Sequence, residues 1–159
     1  MKKILSLVLA LCLLCLSVSA LAEIPASVED LPAATMDVAQ EDFFGEWSAV
    51  YAVYDDDMAS LKEVAPILGG SVPVVTIDAE KVTATYGEGD GAKAVAYDYI
   101  YNAEYSSIEI YDPETYDPEA EYNDPVIYIQ MMETEEIQFL FVESMVELYM
   151  AKAEEAPEA

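Results

Sequence analysis

The 159-residue chain contains no histidine and no arginine, and its six basic residues are all lysines. Its two cysteines, Cys12 and Cys15, both stand within the first 22 residues. Each absence removes a class of chemistry. Without histidine there is no Ser-His-Asp triad and no imidazole ligand for zinc. Without arginine there is no planar fork to clamp a phosphate. Beyond Ala22 no thiolate nucleophile, disulfide or cysteine metal site can form. Paired carboxylates that might cleave a glycosidic bond are the route left open, but with 32 acidic residues the presence of such a pair carries no information. The chain therefore reads as a non-enzyme.

The N-terminus has the three-part layout of a secretory signal peptide. Met1-Lys2-Lys3 precedes an apolar run from Ile4 to Leu16, and small residues stand at Ala20 and Ala22. A core of roughly 7–15 apolar residues has signal-peptide length, whereas crossing a bilayer takes about 20. Leu precedes each cysteine, which argues against a lipid anchor there. Cleavage is expected after Ala22, giving a secreted, extracellular product. Removing residues 1–22 takes two lysines and no acid, so 159 − 22 = 137 residues remain with a side-chain charge of 4 − 32 = −28. Such a surface repels nucleic acid and anionic membranes and suits a cationic protein or peptide. Abundant Val, Ile, Tyr and Phe set the chain apart from acidic disordered sequences.

Residues 23–40 carry two prolines and no sustained period and read as a linker; residues 153–159 read as an acidic tail. Between them, residues 41–152 show short apolar segments separated by short turns. Trp47–Tyr54 is the first expected strand, and Asp57 is expected to cap a helical turn over 58–65, before Pro66 and Gly69-Gly70. Further strands are expected at 72–78, 81–86, 93–101, 105–112, 126–132, 137–142 and 145–151. Val82, Ala84 and Tyr86 alternate with Lys81, Thr83 and Thr85, which puts the apolar set on one face. Connections of a few residues make neighbouring strands antiparallel. The expected fold is all-β: an eight-stranded antiparallel up-and-down barrel with a short helical turn after strand one, an open sandwich being the rival.

Gly45-Glu46-Trp47, inside Phe43-Phe44-Gly45-Glu46-Trp47, opens the first strand. With the strand count, this motif resembles that of small secreted lipocalin-like domains of bacterial type, over roughly residues 41–152. The resemblance implies that Trp47 plugs the closed end of a barrel beside Gly45. Lys152 would stand in for the basic residue, usually arginine, that lies over the tryptophan in that family. A later Thr-Asp-Tyr signature of the family is missing.

Three features carry the candidate sites. Tyr97, Tyr99 and Tyr101 share one face by their spacing of two; strand packing is one role for them, and lining a cup for a small amphipathic ligand is the other. The segment YDPETYDPEAEYNDP, residues 111–125, repeats a Tyr-Asp-Pro-Glu unit and forms an acidic loop. Asp112, Asp117 and Asp124 offer hard oxygen ligands for a weak calcium site, although no EF-hand pattern accompanies them and a solvated acidic loop is the alternative. Asp55-Asp56-Asp57 is expected to cap the helix, with a metal role as the other option. Two functions follow. The first is a secreted binding protein for a small hydrophobic or amphipathic ligand; the alternative is an acidic interaction module with a filled barrel that binds a cationic protein or peptide.

Overall fold

The computed structural model describes residues 24–153 except Glu121. The expected signal peptide and tail residues 154–159 lie outside the described residues. Among the described residues ten strands form where eight were expected: β1 (Gly45–Tyr54), β2 (Asp57–Ala59), β3 (Val74–Ile77), β4 (Val82–Tyr86), β5 (Lys93–Tyr97), β6 (Ile100–Asn102), β7 (Ser107–Ile110), β8 (Ile127–Met131), β9 (Ile137–Phe141) and β10 (Val146–Lys152). The extra two arise locally. The segment expected as one strand over 93–101 is interrupted at Asp98-Tyr99, and β2 folds back on the end of β1.

All pairings are antiparallel, and the strands form one curled, open sheet, a half-barrel. Its order is β5-β4-β3-β1-β10-β9-β8-β7-β6, with β2 beside β1. The first and last long strands are therefore neighbours, in register from Trp47 opposite Lys152 to Tyr54 opposite Val146. The sheet ends at β5 and β6, which follow one another directly in the chain but do not pair. Closure of the sheet into a complete barrel is accordingly not seen in the strand pairing.

Local chemistry corrects the expectation for the three aspartates. Asp55 and Asp56 take φ of 54° and 62° and form the two-residue loop of the β1–β2 hairpin, while Asp57 begins β2. Two left-handed residues in succession match the twist of the flanking strands, and aspartate tolerates that region better than most side chains. The helical turn, α1 (Leu61–Val64), starts later than expected and is capped by Ser60. The Glu63 carboxylate accepts hydrogen bonds from the Ser60 N–H at 2.9 Å and the Ser60 hydroxyl at 2.7 Å.

A bulge at Val50 decides which side chains of β1 face inward. Ala49 opposes Met150 and Tyr51 opposes Tyr149, so two steps along β1 match one along β10. Trp47 and Ala49 thus point into the curl before the bulge and Ala52 after it, with Tyr51 and Val53 thrown to the outer face. The inner face is one packed cluster that joins β1, β3 and β4 to β7–β10, with Val75, Ile77, Ile108, Ile129, Phe139, Leu148 and Met150 all fully buried.

The outer face is covered in its own way. Tyr51 and Tyr149 stack with ring centroids 4.7 Å apart and 12° between planes. Val28 and Leu31 of the N-terminal segment pack over them. That segment, expected as a linker over 23–40, instead docks on the sheet: Ala34 bridges Met132, and the Thr35 N–H donates to the Met131 carbonyl at 2.8 Å. Val38 reaches the inner cluster.

At one end of the curl, Gly45, Trp47 and Lys152 meet. Trp47 is 1% exposed, its indole N–H donates to the Phe43 carbonyl at 2.8 Å, and the Lys152 ammonium stands 5.4 Å from its ring centroid. That separation lies within cation–π range. Gly45 has φ of +140°, and a Cβ there would come 2.5 Å from Lys152 Cε. Any side chain at 45 would strain the backbone and push the lysine off the indole. Trp47→Ala is expected to cost about 3–5 kcal/mol, a large share of a domain's stability. Gly45→Ala should lower the melting temperature clearly, and adding Lys152→Ala should restore only part of the loss, because the clash disappears while the backbone strain stays; thermal melts of the two single variants and the double variant check this.

Candidate functional site

A concavity lies on the outer face, at the end of the sheet formed by β6–β9. Glu109 and Tyr111 leave β7 on the side opposite Ile108 and Ile110, as the alternation requires, and Tyr128 and Leu140 present the same face from β8 and β9. The Tyr-Asp-Pro loop then folds back over these residues. Together they enclose a groove of about 800 Å³ walled by Tyr105, Tyr111, Tyr116, Tyr122 and Tyr128, with Glu109 at its floor. A smaller hollow of about 200 Å³ adjoins it at Tyr99, Tyr111 and Tyr116.

The sequence repeat of the loop becomes a structural repeat. In Asp112-Pro113-Glu114-Thr115 and again in Asp117-Pro118-Glu119-Ala120, the aspartate Oδ1 accepts the N–H of the glutamate at 2.9 Å. In both, the aspartate carbonyl accepts the N–H of the fourth residue at 3.1 Å. Proline fixes the second position of each turn, and the aspartate closes it from its own side chain. Asn123 ties the second turn down, accepting from the Asp117 N–H at 3.0 Å and donating to the Asp117 carbonyl at 2.8 Å. The turns place Tyr116 against Tyr111, with ring centroids 4.9 Å apart.

Glu109 is 8% exposed although its strand position points outward. Asn102 donates to its Oε1 at 2.9 Å and Ser107 at 3.3 Å, while the Tyr111 hydroxyl donates to Oε2. Burial, together with the Glu109 carboxylate, raises the Tyr111 hydroxyl pKa above the usual phenol value. Tyr122 is raised as well, chiefly by its hydrogen bond to Asp124.

The residues expected to form sites fall into separate places. Tyr97, Tyr99 and Tyr101 all pack against the inner cluster, and their hydroxyls are engaged by the scaffold. Tyr99 donates to the Asp78 carbonyl at 2.8 Å and accepts from Gln40 at 2.7 Å; Tyr101 donates to the Val38 carbonyl; Tyr97 bonds Tyr86. Asp112, Asp117 and Asp124 are not gathered: each serves its own turn or neighbour, and among the described residues no group of three acids is close enough to hold a metal ion. Gly45, Trp47 and Lys152 do come together, beside a depression of about 430 Å³ that also touches Asp42 and Glu133. The floor residue, Glu109, carries no sequence signal of its own; the tyrosine spacing in the loop that follows is the only pointer to it.

No protein-family model, curated protein or solved structure matches this chain.

The buried hydroxyls make a pH prediction. Burial pushes the Tyr86 hydroxyl up to about 12 and raises Tyr51, Tyr111 and Tyr149 further, against a usual value of 10.0. Above pH 10 the unfolded chain releases protons that the folded chain retains, so this contribution is complete below pH 10 and is lost as pH rises through the folded values. The melting temperature should hold nearly level up to about pH 9 and fall steeply between pH 10 and 12. Tyr86→Phe should make that fall shallower; melts across the alkaline range measure both.

Proposed function

We propose that this chain is a secreted, non-enzymatic interaction module whose acidic outer face engages a cationic protein or peptide. One observation carries the reading. The inner face is occupied by a continuous packed cluster, whereas the roomy, polar-floored groove opens on the other side of the sheet. Concave sites of roughly 300–1,000 Å³ with an apolar lining and a few placed polar groups are the usual form of a binding site. The side-chain charge of 4 − 32 = −28 left after removal of residues 1–22 gives the molecule a strongly negative field, which attracts cations and repels nucleic acid.

The same reading extends to the fold. We propose that β5 and β6 act as one long strand kinked at Asp98-Tyr99, pairing with β4 through its first half and with β7 through its second. Counted in this way, and setting the β2 flap aside, the sheet has eight long antiparallel strands, an even number that allows the first and last to pair, as β1 and β10 do. This supports the lipocalin-like topology as a proposal. A second reading, a small amphipathic ligand inside such a barrel, is favoured by the meeting of Gly45, Trp47 and Lys152 at one end of the curl, the end-plug arrangement that the resemblance implies.

Calorimetric titration with pentalysine separates the two. The first reading expects saturable binding that weakens about tenfold or more from 0.1 M to 1 M salt, as the screening length shrinks from about 10 Å to about 3 Å. Salt-insensitive, saturable enhancement of an apolar fluorescent probe, with no response to pentalysine, would favour the interior ligand instead.

A further inference from the structure

We propose that the tyrosine-walled groove over Glu109 is an ammonium-binding site that receives a lysine side chain of the cationic partner. This inference rests on the interaction-module reading and gives it an address. Three observations converge on it. Five tyrosines wall one groove, and the face of an aromatic ring carries a negative quadrupole that attracts an organic cation. Glu109 lies at the floor, buried, held by Asn102, Ser107 and Tyr111, all of them neutral donors. Among the described residues the single ion pair is Lys81 with Asp98, and no described lysine pairs with the carboxylate at the floor. Both Glu109 oxygens already accept hydrogen bonds from neutral donors, which keeps the carboxylate in place while its negative charge has no counter-charge among the described residues, and an incoming cation would supply one.

The details favour an ammonium over a guanidinium. Three donors already occupy the two Glu109 oxygens, which leaves no open fork for two parallel N–H bonds. A compact ammonium needs no fork. It can approach the remaining lone pair while its methylene stem lies along Tyr111, Tyr116 and Leu140. Asp124 stands at the same groove and adds negative charge to the wall.

The walls allow a test that leaves the fold alone. Tyr105 and Tyr122 are 52% and 75% exposed, so truncating them should shift the melting temperature little. Titration of pentalysine at 0.15 M salt is expected to show each of Tyr105→Ala and Tyr122→Ala weakening binding about 2- to 5-fold, the range of an exposed cation–π contact. Glu109→Gln should weaken it at least as much. Tyr54→Ala, an exposed tyrosine away from the groove, should leave it unchanged. Equal affinity in the wild type and the Tyr105→Ala, Tyr122→Ala double variant would overturn the groove as the site while leaving the acidic-face reading in place. Failure of pentalysine to bind the wild type even at low salt would overturn both.

Discussion

The structure depends on the antiparallel ladder between β1 and β10 and on the indole set at its end. Those strands lie about a hundred residues apart in sequence, and their pairing brings the two halves of the meander together. The loop-closure entropy of joining distant segments must be offset by contacts that form only when they meet. Trp47 supplies several at once: its ring is buried in the inner cluster, its N–H bonds the Phe43 carbonyl, and Lys152, its cross-strand partner, lies over its face. Gly45 suits this position because its φ of +140° would strain any other residue, and a Cβ there would also displace the lysine stem from the indole.

From that seam the two faces of the sheet take different roles. The inner face is apolar and filled, with Ile, Val, Phe and Leu from seven strands in one cluster. The outer face is buried in two places by segments that are not strands. The N-terminal stretch covers Tyr51 and Tyr149, and the Tyr-Asp-Pro loop covers Glu109. In both, tyrosine hydroxyls meet glutamates: Tyr51 donates to Glu136 at 3.2 Å, Tyr149 to Glu147 at 3.2 Å, and Tyr111 to Glu109. Tyrosine serves such positions because its ring packs like a hydrophobe while its hydroxyl donates to a carboxylate oxygen. An acidic chain with so few basic residues can thereby bury carboxylates against phenols in place of ammonium groups.

Much of the strand content was legible, because period-two alternation in segments such as Val82–Tyr86 depends only on which face meets the core. The short turns likewise announced antiparallel neighbours. Other features were hidden for identifiable reasons. The bulge at Val50 reverses the phase of β1 midway, and no residue type marks it. Asp55-Asp56 reads equally as a helix cap or a hairpin loop, and the choice falls to the pairing of β2 with β1, a tertiary event. Residues 24–40 pack through scattered contacts and so show no period, and composition made the segment look like a tether. Glu109 occupies an outward strand position and looks solvated until the loop closes over it. The tyrosines at 97, 99 and 101 were correctly placed on one face, but their hydroxyls turn to backbone and neighbouring side chains of the scaffold.

Native-state hydrogen exchange on the intact chain tests the primacy of the β1–β10 seam most directly. Amides of the two strands that bond each other should exchange only through global unfolding, as the slowest set in the molecule, while β5 and β6 at the ends of the sheet should open through smaller fluctuations. Exchange of the β1–β10 amides as fast as that of β5 and β6 would contradict the account and place the stabilising nexus elsewhere.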